Sequence, residues 1–101
     1  MAKIKTLVKL PEHPAHVEYV NDDLESMQKV VRGKLEAVRI EEGWCVICDE
    51  EGRLKGRVKN CELGGVGFVG KIMIAGTEGD GFKDFEVTEE FAQKYYQLWE
   101  D

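Results

Sequence analysis

The sequence predicts an α+β fold: a mainly antiparallel sheet of about five or six strands, with two helices, residues 22–32 and 88–99, on one face. Short runs rich in Val, Ile and Trp recur between polar turns, and two segments show the apolar period of helices. The order strand, strand, helix, several strands, helix does not alternate as in parallel sheets. Since 101 residues have room for one core, residues 1–101 are expected to form a single domain.

The chain begins with a predicted β-hairpin. In residues 3–9 lysines alternate with apolar residues, which is typical of a strand with one solvated face. Pro11 and Pro14 then exclude regular helix or sheet pairing between them. Residues 16–20 return to an extended pattern, so we expect this second strand to pair with the first.

The first helix is predicted from apolar residues at positions i, i+3 and i+7, which are Leu24, Met27 and Val31. Asp22 is the expected N-cap, because Glu25 follows three residues later as in a capping box. Gly33 is the expected end of the helix.

The middle of the chain predicts further strands. The runs LEAVRI and WCVICDE are separated by residues 41–43, which end in glycine and predict a hairpin loop. A polar turn over residues 49–52 follows. Residues 72–75, IMIA, form a strong strand pattern, residues 76–81 are an expected loop, and residues 82–87 an expected short strand.

Thr88 is the expected cap of the last helix, which carries an aromatic and apolar stripe formed by Phe91, Tyr95, Leu98 and Trp99. This spacing favours a core position for the stripe. The alternative is a subunit interface, because Tyr96 and Trp99 lie near the end of the chain.

Composition excludes several functions. The chain has 14 Lys and Arg against 20 Asp and Glu, and its net charge of −6 argues against a duplex nucleic acid partner. No apolar run reaches the roughly 20 residues that span a bilayer, and residues 1–10 do not form a signal peptide. We therefore expect a cytoplasmic protein with no membrane partner. Three cysteines without a secretory signal favour reduced thiols.

The strongest candidate site is a basic run in which cations occupy every second position, at 53, 55, 57 and 59. If the run is extended, all four side chains lie on one face and, with the amides of nearby glycines, favour a phosphate or another anion. The alternative is a solvated strand face or a protected sheet edge. The candidate ligand-binding residues are Arg53, Lys55, Arg57, Lys59, Asn60, Gly65, Gly67 and Lys71.

Gly65, Gly67 and Gly70 also match G-x-G-x-x-G, with Lys71 after them, but the match is weak. A nucleotide loop of this type follows a strand and opens a helix, whereas these glycines precede the strand-like IMIA. Ile72 also stands where a phosphate loop carries Ser or Thr. A flexible loop or a bulged strand entry is the preferred interpretation.

Cys45 with Cys48 and His13 with His16 have spacings seen in metal sites, and Cys61 offers a further thiol. Odd spacing within a strand sends Cys45 and Cys48 to opposite faces, however, so we expect buried thiols, no metal and no cofactor. The one serine, at position 26, lies within the first helix and lacks a glycine elbow. The protein is therefore expected not to be an enzyme.

Three segments carry a resemblance to a known family: NDDLESMQKVVRGKLEAV, ICDEEGRLKG with Asn60 beyond it, and VGKIMIAGTEGDGFKDFEVTEEFAQKYYQLW. Over nearly its whole length the chain resembles small proteins of unknown function that phages and other mobile elements of bacteria often carry. Where such proteins tend to follow the Gly56 position with Leu and Pro, this chain has Arg57 and Val58. The resemblance supplies no catalytic residues; it implies an accessory role in the bacterial host cytosol.

Two functional hypotheses follow. In the first, a phage-type accessory protein counters host defence by sequestering a nucleotide-like anion in a homo-oligomer that pools the basic runs. In the second, it inhibits a basic host protein through an acidic face. The acidic residues considered for that face are Asp22, Asp23, Glu41, Glu42, Asp49, Glu50 and Glu51. An enzyme that uses Cys45, Cys48 or a histidine is the third alternative.

Overall fold

The computed structural model describes residues 2–100, which form eight strands, two α-helices and one 3-10 helix. In chain order these are β1 Lys3–Lys9, β2 His16–Asn21, α1 Leu24–Val31, β3 Leu35–Glu41, β4 Trp44–Asp49, β5 Lys59–Leu63, β6 Val66–Val69, β7 Ile72–Glu78, β8 Gly81–Lys83, α2 Glu89–Lys94 and the 3-10 helix Tyr96–Trp99. The predicted α+β class is confirmed. No helix within residues 2–100 has the length and apolar character needed to cross a bilayer.

The main sheet has six strands, all paired antiparallel, in the order β2-β1-β7-β4-β3 with β8 beside β7. Its centre is β7, where residues 72–76 are all buried. The predicted hairpins β1–β2 and β3–β4 are both present. The predicted loop over residues 76–81 is wrong, because β7 continues to Glu78 and turns directly into β8.

Strands β5 and β6 form a separate two-stranded sheet. Gly64 and Gly65 connect them with φ of 56° and 81°, and Leu63 pairs with Val66 across this two-residue turn. Positive φ at both turn residues is the type I′ geometry that glycine favours and that matches the twist of the strands. The glycine-rich stretch therefore makes a hairpin.

The two helices lie on opposite faces of the main sheet, so the prediction that they share one face is wrong. Alternation along β4 explains the arrangement: Trp44, Val46 and Cys48 belong to one apolar cluster and Cys45 and Ile47 to the other. The first cluster is covered by the β5–β6 hairpin, α2 and the 3-10 helix, and the second by α1. A sheet this apolar on both faces needs a cover on each.

Helix α1 has a different cap from the one predicted. Asp23, not Asp22, is its N-cap, and the Asp23 carboxylate accepts a hydrogen bond from the Ser26 amide. This bond lowers the pKa of Asp23. At the other end Arg32 adopts the left-handed conformation at φ 63°, the role expected of Gly33. Gly33 is needed for another reason, since a Cβ there would lie 2.4 Å from Cγ of Asp49.

The C-terminal helix is confirmed in part. Thr88 caps α2 as predicted, because its hydroxyl accepts from the Phe91 amide. The helix ends at Lys94 and continues as the 3-10 helix, so one helix over residues 88–99 is wrong. The predicted stripe lies in the core: Phe91, Tyr95 and Leu98 are buried. The side chains of Trp44, Phe85, Phe91, Tyr95 and Trp99 form a cluster of mostly edge-to-face rings.

Candidate functional site

The basic run does not form a stripe on one strand face. Residues 50–56 are turns, and β5 begins only at Lys59, so the extended geometry predicted for the run is wrong. The physical reason is Asp49, which draws two of the four cations inward. Its Oδ2 accepts from Lys55 Nζ at 2.8 Å and from Arg57 Nε at 2.9 Å.

The Asp49 side chain is only 1% exposed, whereas Lys55 and Arg57 keep part of their surface in solvent. Burial acts to raise the pKa of Asp49, but hydrogen bonds from Lys55, the Glu51 amide and Arg57 outweigh it and lower the pKa to about 2. Arg57 also donates to the carbonyl of Arg32 at 2.7 Å and so ties the loop to the end of α1. Two of the predicted ligand residues thus serve an internal ion pair.

Arg53 and Asn60 also make internal contacts. Arg53 donates to the Gly67 carbonyl at 2.8 Å. Asn60 donates to the carbonyls of Lys9 and Gly70 and accepts from Lys9 Nζ at 3.1 Å. Lys9 is only 4% exposed, so few acceptors lie within reach of its ammonium group. The side-chain oxygen of Asn60 is one of them. The side chain of Asn60 therefore joins β5 to β1 and to the segment between β6 and β7.

The remaining predicted ligand residues do not converge. Gly65 lies in the β5–β6 turn, Gly67 within β6, Lys59 at the exposed start of β5 and Lys71 just before β7. The structure therefore does not bring the eight candidates together around one cavity. Binding of an anion by any of them stays a prediction.

Cys45 and Cys48 lie on opposite faces of the main sheet, as their odd spacing predicts. All three cysteines are free and buried. Burial raises the pKa of each thiol; for Cys48, burial and the neighbouring carboxylates of Glu36 and Asp49 raise the pKa to about 11. Few thiolates are present near neutral pH, so these cysteines are poor nucleophiles and poor metal ligands in the folded state.

An open groove of about 710 Å³, which we call the acidic groove, lies at one end of the main sheet. It lies where the turn between β3 and β4 meets β7 and β8. Its lining consists of Ile4, Glu42, Gly43, Trp44, Gly76, Glu78, Phe82, Lys83, Asp84, Phe85 and Glu86.

Two backbone features create this groove. Gly43 accepts a hydrogen bond from the Thr77 amide, which fixes the β3–β4 turn against β7. Gly76 lets the segment after β8 cross close to β7, because a Cβ at that position would lie 2.6 Å from the carbonyl oxygen of Asp84. The chain then places Phe85 against Trp44, with ring centroids 6.1 Å apart.

The groove carries a negative charge on an aromatic floor. Glu42, Glu78, Asp84 and Glu86 line it against the one cation Lys83. Asp84 accepts from the Lys5 amide, and Glu86 forms an ion pair with Lys5 Nζ at 3.2 Å. Within residues 2–100 neither Glu42 nor Glu78 forms an ion pair, so these two carboxylates are available to a ligand.

The acidic residues singled out from the sequence are dispersed by the fold. Asp23 caps α1, Asp49 is buried, and the pKa of Glu41 is lowered by hydrogen bonds from Lys94 and Tyr95. Of that set only Glu42 lines the acidic groove. Its acidic partners come from the segment EGDGFKDFE at 78–86, where acids interleave with two phenylalanines.

The fold and its groove define a small antiparallel α+β protein that carries an acidic groove with aromatic side chains in its lining. A family model described as "Domain of unknown function (DUF3846)" matches residues 4–100, and the chain belongs to that family. The predicted membership in an uncharacterised family is thus confirmed, and the phage setting stays a prediction. No curated protein and no solved structure matches the chain.

Proposed function

We propose that this protein acts by binding and that its acidic groove holds a Lys- or Arg-rich segment of another protein. The observation that carries the proposal is the lining of the groove, where Glu42 and Glu78 lack ion-pair partners within residues 2–100 and stand above an aromatic floor. The volume of about 710 Å³ accommodates a few side chains of a peptide.

The chemistry of the lining suits long cationic side chains. A Lys or Arg side chain lays its apolar stem on aromatic surface while its charged head reaches a carboxylate. Arg also stacks on aromatic rings. Phe82, which is partly exposed, offers the main aromatic surface, and the buried rings of Trp44 and Phe85 add only a small exposed part. The carboxylates of the groove offer the second contact. An anionic ligand would meet four carboxylates against the ammonium group of Lys83 and that of Lys5, which is already paired with Glu86, and this excess of negative charge disfavours it.

Binding is preferred to catalysis because the nucleophiles of the chain are poorly placed. The thiols of Cys45, Cys48 and Cys61 are buried with raised pKa values. His13 and His16 make local contacts with Pro11 and Glu18 in an exposed turn and an edge strand. No charged nucleophile and base face each other in the groove.

The partner follows from the setting that the family resemblance implies. A phage or mobile-element protein acts in the bacterial host cytosol, so a basic host protein is the proposed partner and inhibition of a host defence the proposed role. The net charge of −6 favours attraction to such a protein at long range.

Fluorescence anisotropy with a labelled Arg- and Lys-rich peptide tests the proposal. The wild type is expected to bind, and more weakly as salt rises. The double variant Glu42→Gln/Glu78→Gln is expected to lose about 5- to 10-fold in affinity, since each exposed pair contributes up to about 1 kcal/mol. The control Glu62→Gln/Glu100→Gln removes the same charge outside the groove and should bind like the wild type. Equal losses in both variants, or no binding by the wild type, would contradict the proposal.

Sequestration of a nucleotide-like anion is the second proposal and has less support. Lys55 and Arg57 are engaged by Asp49, and Arg53 donates to the carbonyl of Gly67. Lys59 and Lys71 form neither an ion pair nor a side-chain hydrogen bond within residues 2–100. Calorimetric titration with cyclic and linear nucleotides tests it. The proposal would be supported if a nucleotide releases heat on binding to the wild type and gives none with Lys59→Gln/Lys71→Gln. The absence of heat with every nucleotide and the wild type would exclude it.

A further inference from the structure

The main sheet has two free edges that differ in their protection. Strand β3 forms one edge; it has a register shift between Arg39 and Glu41 and three charged side chains, at 36, 39 and 41. Bulges and charges are the devices by which proteins keep an edge from pairing. Strand β2 forms the other edge, in regular register with β1 and with no lysine, proline or bulge. Because Glu18 is the one carboxylate of β2, this strand is the less protected edge.

The backbone groups that β2 presents at this edge follow from its bonds to β1. The backbone amide of Asp22 donates to the carbonyl of Ala2, and the Thr6 hydroxyl donates to the carbonyl of Glu18. In an antiparallel ladder successive residues alternate in direction, so the N–H and C=O groups of residues 17, 19 and 21 point away from β1. The side chains of Val17 and Tyr19 are 45% and 63% exposed. The edge thus combines unpaired backbone groups with exposed apolar surface.

We propose that β2 pairs antiparallel with β2 of a second copy of this chain, about a two-fold axis that places Tyr19 opposite Tyr19. The pairing would join two six-stranded sheets into one and close as a dimer. No residue of β2 lines the acidic groove, so the proposed interface is separate from the proposed binding site and stands independently of it.

The register follows by elimination among the pairings that two-fold symmetry allows. An axis at Val17 requires the amide of Ala15, which already donates to the carbonyl of Leu98 at 2.7 Å. An axis at Glu18 places two carboxylates directly opposite each other, which is destabilising. An axis at Val20 sets Glu18 opposite Asp22 of the second copy, which again places like charges opposite each other. An axis at Asn21 requires the amide of Asp23, which already donates to the carbonyl of Asn21. An axis at Tyr19 avoids all of these problems.

The pairing centred on Tyr19 sets Glu18 opposite Val20 of the second copy, which brings no like charges together, and two further contacts favour it. It sets Val17 opposite Asn21 of the second copy, in a hydrogen-bonded position. The carbonyl of Asn21 already accepts from Asp23, but a carbonyl oxygen has two lone pairs and can accept again. On the α1 side the same register sets His16 opposite Asp22 of the second copy, and this happens twice in the dimer.

Native mass measurement of the full chain tests the interface. The wild type is expected at twice 11.5 kDa, Tyr19→Lys as a monomer because two ammonium groups would face each other, and Tyr96→Lys as a dimer. Tyr96 is a matched control, being 61% exposed on the 3-10 helix. A monomeric wild type, or a dimer that persists in Tyr19→Lys, would overturn the proposal.

Cysteine cross-linking tests the register. Directly opposite residues in a hydrogen-bonded antiparallel pair have Cα atoms ~5.5 Å apart, within the disulfide range. Under oxidation by diamide, Tyr19→Cys is expected to form a covalent dimer. Val17→Cys, whose two copies would lie ~13 Å apart, is expected to form none, like the wild type with its three buried thiols. A covalent dimer from Val17→Cys and none from Tyr19→Cys would overturn the register.

Discussion

Asp49 holds the loop between β4 and β5 in place, and Asp49→Asn tests this role. The carboxylate is buried and accepts hydrogen bonds from Lys55, Arg57 and the Glu51 amide. Asparagine keeps the size of the side chain and removes its charge. Both cations then lose their anionic partner, and the hydrogen bonds that attach the loop to β4 become fewer and weaker.

The magnitude follows from the pKa of the carboxyl. Its ordinary value is 3.8, and the folded protein lowers the pKa of Asp49 to about 2. Each pKa unit corresponds to about 1.4 kcal/mol, so ionisation contributes roughly 2 to 2.5 kcal/mol. Breaking a buried pair by removing one partner costs about 3 to 5 kcal/mol when both charges are buried. Because Lys55 and Arg57 are partly hydrated, we expect Asp49→Asn to destabilise by about 2 to 3 kcal/mol.

Urea unfolding at several pH values measures this effect. A carboxyl whose folded pKa is lowered stabilises the protein above its unfolded pKa and loses this contribution as the pH falls through the folded pKa. The difference in unfolding free energy between wild type and Asp49→Asn should therefore be full at about pH 7 and fall by roughly 1 kcal/mol at about pH 3. Glu50→Gln is the control and should change stability little. A difference below about 1 kcal/mol at neutral pH, or one that does not fall in acid, would refute the reasoning.

Two further substitutions test close packing and the bridge between strands. Gly33→Ala should lower the free energy of unfolding by about 1 to 3 kcal/mol, because the new methyl group would lie 2.4 Å from a buried carboxyl group. The control Gly81→Ala, whose methyl group would have only one atom near it, at 3.7 Å, should lower it by less than about 1 kcal/mol. Equal losses in urea unfolding would contradict the packing argument. Asn60→Ala should lower the free energy of unfolding by about 2 to 3 kcal/mol, because the buried Lys9 ammonium loses an acceptor. The control Lys59→Ala should lower it by about 0.5 kcal/mol or less. A fall in melting temperature that is no larger for Asn60→Ala than for Lys59→Ala would contradict the bridging role of Asn60.

Much of the fold was predictable because it is encoded locally. The bounds of β1, the hairpin from β3 to β4 and the Thr88 cap follow from alternation, turn residues and capping, which act over a few residues. The placement of the two helices was not predictable in this way. Both faces of β4 are apolar, and a continuous apolar run does not say which face each helix covers.

The basic run shows why the candidate site was harder to predict. The cations of this run do occupy every second position, but such spacing places side chains on one face only where the segment is a strand. The contacts of Asp49 with Lys55 and Arg57 fold the segment into a turn instead. Those contacts are tertiary, so nothing in the local pattern signalled them. The acidic groove was missed for a related reason. Glu42 and Glu78 are 36 residues apart in sequence and meet only because the β3–β4 turn packs against β7.

Backbone amide chemical shifts during titration with the Arg- and Lys-rich peptide test the central claim most directly, because they locate the binding surface residue by residue. We predict that the largest changes fall at Gly43, Gly76 and residues 82–86, with little change in the loop over residues 53–58 or in β5. Changes centred on that loop, or none at peptide concentrations that saturate anisotropy, would contradict the assignment of the acidic groove as the binding site.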